Sequence, residues 1–355
     1  MTEMPITHFK PKEIGTSIEK LRELGYEKDI YGKKLESDEQ IIEMFPQDII
    51  LPSCPEGGDE KADDVFLKVT NFVDDELEKL YGVGRFYNAR KKEDLIGALF
   101  ACMAPHICTA TVGRLIGFSK TQVFFASPYM HAAMRRDCDG DEAAVMLLMD
   151  LLINFSRKFL PSHRGGTQDA PLVLNTRIKA GEVDDQILDF ETGEYPLELY
   201  ELAEQGKHSS EVKMDNVKKR LKEGINPFEN IAFSHGCEDI NKTVVNTSYK
   251  SLPTMQEKVN SNMILGEKIR ALDVADFSRL IIERHFIRDI RGNLRKFSMQ
   301  EFRCVGCNTK FRRPPLAGKC TSCGGRLIFT ISEGSILKYM QPALELARKY
   351  KARFL

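Results

Sequence analysis

The sequence predicts an α+β protein: helical regions flank a middle section that contains short strands, and a small metal-binding module lies near the C-terminus. Three observations carry this. Apolar residues recur at the helical 3.6 period in several segments. Short β-rich runs, Gln122–Ala126 and Pro171–Ile178, stand between turn residues. Two Cys-x-x-Cys pairs, Cys304/Cys307 and Cys320/Cys323, have metal-ligand spacing. The 355 residues suggest two or three domains at roughly 150 residues each. With 42% hydrophobic residues, 21 Phe and 10 Tyr, the chain has material for a core, which excludes disorder along its whole length.

The elements follow in order. Lys12–Gly25 reads as one helix, with Ile14, Ile18 and Leu21 on one side and Gly25 as its stop. Ser37 is a candidate N-cap for a helix through Phe45, with Gln40 at the capping-box position. Asp48–Leu51 is a short apolar run closed by Pro52. Ala62–Tyr81, ending at Gly82, and Lys92–Met103, ending near Pro105, read as helices, and Gln122–Ala126 as a strand. Glu142–Leu160 is the strongest helical pattern: Ala144, Leu148, Leu151, Leu152, Phe155 and Phe159 keep the 3.6 period and Pro161 closes it. Pro171–Ile178 reads as a strand, and Leu197–Gln205 and Val212–Glu223 as helices. Glu257–Ala271 and Val274–Ile290 read as longer helices, Leu294–Phe302 as extended, and Ser335–Lys351 as a closing helix. The expected organisation is a mainly helical region over 1–85, a middle region over 86–235, a helical region over 236–295, a cysteine-rich module over 296–332 expected to bind zinc, and a C-terminal helix over 333–355.

Composition bounds the function. No run approaches the ~20 apolar residues of a membrane helix: Leu95–Ala104 and Val145–Ile153 are short or carry a charge, Asp150. The first 15 residues hold charge and Pro but no apolar signal core. They read like mid-protein material, so the chain is expected to be a fragment or one piece of a split protein. Nine cysteines without an export signal suggest a reduced, intracellular setting. The net charge of −1 argues neither for nor against nucleic acid, but Arg288–Arg326 holds ten Lys/Arg against Asp289 and Glu301, a local +8. Such a cluster is either a footprint for polyanions or a solvated face.

Twelve residues separate Cys304-x-x-Cys307 from Cys320-x-x-Cys323, and each pair can turn two thiolates toward one ion. The intervening KFRRPPLAGK is too short for a core, so a metal would hold the piece folded. A structural Zn²⁺ is the expectation, with an iron–sulfur cluster or a redox dithiol as alternatives. Cys54, Cys102, Cys108 and Cys237 have no such spacing and are expected as small core residues. The second constellation is Arg135-Arg136-Asp137-Cys138-Asp139-Gly140-Asp141-Glu142. Alternate carboxylates, Asp137, Asp139 and Asp141, can converge and would repel one another without a cation. Hard oxygens suit Mg²⁺, and Arg135 and Arg136 could hold phosphates, as metal-dependent phosphoryl or nucleotidyl transfer requires. Two plainer readings stand beside this: a charged helix N-terminus, and a calcium loop, although the late Glu of an EF-hand is absent, Leu148 occupying that place.

These residues carry a resemblance. Ser127–Ile178 (SPYMHAAMRRDCDGDEAAVMLLMDLLINFSRKFLPSHRGGTQDAPLVLNTRI) resembles the catalytic segment of the large subunit of the archaeal family D DNA polymerases. So do Lys10–Tyr26, Asp94–Gly97 with Ala104-Pro105-His106, Asp289–Phe297 and Glu301–Pro315, and the likeness covers nearly the whole chain as the C-terminal part of that subunit, without its extreme tail. The resemblance implies a fold that periodicity does not give: a core of two double-psi β-barrels, shared with multisubunit RNA polymerases, with 86–235 as the catalytic region contributing to one of them. It implies Asp139 and Asp141 as the catalytic carboxylates that bind Mg²⁺. Asp137 stands where that family more often has Asn, which leaves its role open, and Met134 stands where a Lys is expected. The first barrel is expected upstream of Met1, so the fragment is expected to be incomplete alone. Implied partners are a DNA primer-template and dNTP, with Arg135, Arg136, Arg312 and Arg313 on nucleic-acid phosphates. Further implied partners are a small proofreading exonuclease subunit, a sliding clamp, primase and, for a split gene, a separate N-terminal half. The implied location is cytoplasmic, with no membrane. The rival functions are an RNA-synthesising relative and a non-catalytic zinc-ribbon scaffold.

Overall fold

A computed structural model describes residues 1–56, 60–154, 173–175, 177, 183–212, 214–231, 237–242, 251–329 and 331–351. The chain divides into two compact units, Met1–Asn246 and Thr247–Leu355.

The first unit is mixed α/β. Its described elements are β1 (Thr2–Pro5), β2 (His8–Phe9), α1 (Pro11–Ile14), α2 (Ile18–Glu23), β3 (Ile42–Glu43), β4 (Asp48–Pro52), α3 (Ala62–Lys79), β5 (Leu99–Met103), β6 (Thr109–Ser119), β7 (Val123–Ala126), α4 (Pro128–Ala133), β8 (Ala144–Leu147), α5 (Leu148–Ile153), β9 (Val173–Leu174), α6 (Leu197–Glu204) and α7 (Val217–Lys222). The main sheet runs β1-β7-β4-β6-β5-β8, with β9 added beside β6. Pairing is parallel for β1/β7 and β4/β6, and antiparallel for β7/β4, β6/β5 and β5/β8. The two ends of this path meet. Glu3 N donates to Asp141 O at 2.8 Å and Ala143 N to Met1 O at 2.7 Å, tying β1 to the segment that enters β8.

Side chains alternate across the strands, so each strand feeds two cores. Ile49, Leu51, Leu115 and Phe124 join Phe100, Leu95, Met130 and Leu147 in one. Ile50, Ile116 and Phe125 join Phe9, Ile14, Leu21, Tyr26 and Leu35 in the other. With both faces covered, β4 is buried at every residue, Asp48 included. That carboxylate is satisfied by Arg114, at 2.7 and 2.9 Å, and by the Tyr26 hydroxyl at 2.5 Å.

Several sequence expectations are corrected. Lys12–Gly25 is two helices, because the Ser17 hydroxyl accepts from Lys20 N at 3.2 Å and starts a second one. Ser37–Phe45 is not helical: Gln40 Oε1 accepts from Glu36 N and Ser37 N in a turn, and β3 follows. Lys92–Met103 is a 3₁₀ turn, Lys92–Leu95, and then strand β5. The helix expected over Glu142–Leu160 is strand β8 followed by the short α5, because Val145 and its neighbours pair with Cys102 and β5. The rest of that prediction, 155–160, lies outside the described residues, as does half of Pro171–Ile178, whose described part contains strand β9. The helix expected from Val212 starts at Val217, where Asn216 Oδ1 accepts from Lys219 N at 2.9 Å. Cys54 and Cys102 are buried as expected, but Cys108 and Cys237 are exposed.

The second unit holds α8 (Met255–Lys268), α9 (Val274–Leu280), α10 (Ile287–Met299) and α11 (Gly334–Lys349) around Val259, Met263, Ile282, Phe286, Ala343 and Leu346. A π-helical turn, Ile281–Phe286, joins α9 to α10 without a break. Helix therefore continues to Met299, where an extended chain was expected from Leu294. Thr254 and Glu257 form the reciprocal capping box that opens α8. A three-stranded sheet, β11-β10-β12 (Lys310–Phe311, Phe302–Cys304, Leu327–Phe329), carries the cysteines. Among the described residues, no helix is long and apolar enough to cross a membrane.

Candidate metal centres

The acidic loop is built from the strand end inward. The Ser127 hydroxyl caps α4 by accepting from Met130 N at 3.3 Å, and it donates to Pro46 O at 3.2 Å. Beyond α4 the backbone enters the left-handed region three times, at Arg135 (φ 62°), Cys138 (φ 68°) and Gly140 (φ 97°). Gly140 does so without strain, whereas each of the other two costs about 1–3 kcal/mol and must be held by its surroundings. Those surroundings are the backbone hydrogen bonds that join Asp141 to Glu3 and Ala143 to Met1, and a buried arginine. Arg136 Nη1 lies 3.0 Å from Asp141 Oδ2 and donates to Glu142 O at 3.4 Å, while its Nε donates to Arg135 O at 3.2 Å. Asp139 Oδ1 accepts from Asp141 N at 3.1 Å.

The three predicted carboxylates therefore differ. Asp141 is paired to Arg136 with its side chain 54% exposed. Asp139 is exposed and Asp137 half-buried. Burial, then the charge of Asp139, raises the Asp137 carboxyl pKa above its ordinary value. Burial, then the charge of Glu3, does the same to the Cys138 thiol. Asp137 and Asp139 come together with a residue that the sequence reading did not single out. Glu3 on β1 offers a carboxylate oxygen, and the three groups each have one within 4.8 Å of the others. Nothing in the sequence marks Glu3: it lies far upstream, and it arrives here through the pairing of β1 with β7 and the bridge from Thr2 to Glu142. His131 of α4 is buried beside it, with Nδ1 against Glu3 Oε2. Hard carboxylate oxygens at this spacing suit Mg²⁺ or Mn²⁺. Of the predicted phosphate-binding arginines, Arg135 is half-buried in the loop, Arg136 is buried on Asp141, and Arg312 and Arg313 are exposed in the second unit.

The cysteines form the second centre. Two tight turns present them: Asn308 N donates to Cys304 O at 3.0 Å, and Gly324 N to Cys320 O at 2.8 Å. All four Sγ atoms lie within 4.8 Å of one another, with Cys304–Cys323 at 3.4 Å and Cys307–Cys320 at 3.5 Å. A zinc tetrahedron with Zn–S of ~2.3 Å spaces its sulfurs ~3.8 Å apart, so the set fits. A Cβ at Gly325 would stand 2.9 Å from Cys304 Sγ and 3.2 Å from Cys323 Sγ, so only glycine leaves the cradle open. The Thr309 hydroxyl and backbone N–H lower the Cys307 pKa to about 6, which favours the thiolate that a metal binds.

Residues 1–258 match the family model for the catalytic domain of the DNA polymerase II large subunit DP2. The chain belongs to the DNA polymerase II large-subunit family. It is 49% identical over 355 residues to the DNA polymerase II large subunit of Pyrococcus furiosus, covering 99% of this chain and 28% of that protein. It is 47% identical over 352 residues to that of Methanothermobacter thermautotrophicus, covering 98% and 31%. The Archaeoglobus fulgidus large subunit is 49% identical over 343 residues, covering 96% and 29%. The chain thus spans under a third of the length of these polymerase subunits. The matched catalytic-domain segment includes Glu3, His131 and the acidic loop, and ends before the four cysteines.

Proposed function

We propose that this chain carries the nucleotidyl-transfer centre of a DNA-directed DNA polymerase, as the C-terminal part of its large subunit. The observation that carries the reading is the exposed Asp139 and Asp141 on a strained, firmly held loop inside the segment matched to a polymerase catalytic domain. Asp139 and Asp141 would hold Mg²⁺, which supplies neutralisation of the charge that develops on the attacking and leaving oxygens. The chain's own residues do the positioning. Arg136 fixes the Asp141 carboxylate, and the Asp141 amide fixes Asp139. The meeting of β1 with the entry to β8 supports a barrel of the double-psi type, with the first barrel supplied from upstream or by a separate N-terminal half.

Zn²⁺ on Cys304, Cys307, Cys320 and Cys323 is structural, since four thiolates leave no open position. Exposed Arg312 and Arg313, with Arg135, contact the phosphates of a primer-template and so give affinity without sequence preference. The partners are dNTP, a small proofreading exonuclease subunit, a sliding clamp and primase, in the cytoplasm.

Primer extension by the assembled polymerase tests the reading. Asp139→Ala and Asp141→Ala should each lower nucleotide addition by a factor of about 100 to 1,000 or more while DNA binding persists. Asp137→Asn should be far milder, because the amide keeps an oxygen that can still face the cation. Full activity in both alanine variants would refute it.

A further inference from the structure

We infer that Glu3 is a further ligand of this centre, forming with Asp137 and Asp139 a three-carboxylate cradle for one divalent cation. The inference rests on the reading that the loop binds metal.

Glu3 is fully buried: its Oε1 has no hydrogen-bond donor, and its Oε2 faces the ring nitrogen of one buried histidine. A carboxylate taken out of water without donors is among the costliest groups a protein can hold, so its position needs a cause. That histidine is His131, also fully buried, with Nδ1 against Glu3 Oε2. A histidine–glutamate pair alone would explain one neutralised anion. It would not explain two further carboxylates within 4.8 Å of it, whose charges would oppose the pair. Asp137 shows the same pattern, because its Oδ1 is also shut off from solvent without a hydrogen bond. A cation among the three satisfies Glu3, Asp137 and Asp139 at once.

The backbone gives the cradle its rigidity. Thr2 bridges Glu142, and Glu3 N is bonded to Asp141 O, so β1 and the acidic loop are stapled where the carboxylates meet. In β1 the side chains alternate exposed, buried, exposed from Thr2 to Met4, which turns Glu3 inward. His131 then stands behind Glu3 as an orienting partner, the place that a second group commonly takes behind a metal-bound ligand. Asp141, held by Arg136, stays outside this cradle, where its exposed carboxylate can meet a second cation.

Mn²⁺ is the probe. Its binding to the zinc-loaded full chain is titrated by electron paramagnetic resonance, and unfolding is followed with and without Mn²⁺. Glu3→Gln keeps the shape and removes the charge. It should weaken Mn²⁺ binding at least about 10-fold, remove the Mn²⁺-induced rise in Tm, and leave the metal-free Tm unchanged or higher. Asp139→Asn should weaken binding as well. If Asp139→Asn weakens binding and Glu3→Gln binds Mn²⁺ like the parent chain, Glu3 is not a ligand and the loop remains a metal centre. If neither substitution changes binding, the metal reading of the loop falls and the inference with it. A lower metal-free Tm with unchanged Mn²⁺ affinity would make Glu3 a packing residue and overturn the inference. Should Glu3→Gln fail to fold, Glu3→Asp carries the test. It withdraws the carboxylate by about one methylene, enough to break a bond of ~2.1 Å, and unchanged affinity there also overturns the inference.

Discussion

Arg136→Met separates two roles for this arginine, a brace for the loop and a contact for nucleic-acid phosphates. Arg136 is 6% exposed, and its Nη1 lies 3.0 Å from Asp141 Oδ2. At that distance the attraction is about 1.4 kcal/mol in water and about 5.5 kcal/mol at an effective dielectric constant of 20. Because the Asp141 side chain is 54% exposed, the value belongs near the lower end, about 1.5–2 kcal/mol. The carbonyls of Arg135 and Glu142 also lose a donor, but at 3.2 and 3.4 Å these bonds are long and add about 1 kcal/mol together. The total, about 2.5–3 kcal/mol, corresponds to a fall in Tm of about 5–12 °C for a unit of this size. Calorimetry of the metal-free chain reads the stability, and fluorescence anisotropy of a labelled primer-template in the assembled polymerase, across a salt series, reads the binding. The brace predicts a lowered Tm, unchanged DNA affinity and salt slope, and slower primer extension because Asp141 has lost its anchor. An unchanged Tm, with a salt slope smaller by about one unit, would refute the brace and make Arg136 a phosphate contact.

Metal analysis should find about one zinc per chain, and Cys320→Ser should abolish it. Limited proteolysis should then cut the segment around β10–β12 while circular dichroism of the helices is kept; full zinc content in the variant would contradict the ligand set. Arg312→Ala with Arg313→Ala should weaken DNA binding equally for unrelated sequences and flatten its salt dependence, and an unchanged slope would return the +8 segment to a solvated face. Native thiol labelling at pH 8 should modify Cys108 and Cys237 and spare Cys54 and Cys102. Burial pushes the Cys102 pKa up to about 12, so its thiol stays protonated until pH rises toward that value or the core opens; mass spectrometry that finds Cys102 labelled in the folded chain would contradict its place in the core.

What was legible in the sequence follows from how local each signal is. The helices Ala62–Lys79, Met255–Lys268 and Gly334–Lys349 came out close to expectation because a stripe of apolar residues on a solvated helix is a local pattern. The cysteine centre was legible for the same reason, since each turn holds two ligands and its glycines. The errors cluster where burial is two-sided. Around Ala144–Leu147 and Leu99–Met103 the apolar run continues through both faces of a covered strand, and such a run fits the helical period as well as a strand. The error at Leu294–Phe302 has a different cause: its polar residues hid a helix that continues α9 through the π-helical turn. In the candidate site, Asp137, Asp139 and Asp141 were visible as a motif, but their division of labour was not. Arg136 took Asp141, and Glu3 reached Asp137 and Asp139 across a sheet pairing. Neither fact has a sequence signature, because both depend on which distant strand lies alongside the loop.

The most direct measurement is anomalous scattering from Mn²⁺ in crystals of the assembled polymerase with primer-template and an incoming nucleotide that cannot react. The account predicts a peak at the acidic loop, with carboxylate oxygens of Asp139 and Asp141 about 2.1 Å from bound ions that also meet the nucleotide phosphates. A peak bound by other carboxylates, with Asp139 and Asp141 contacting only protein groups, would contradict it.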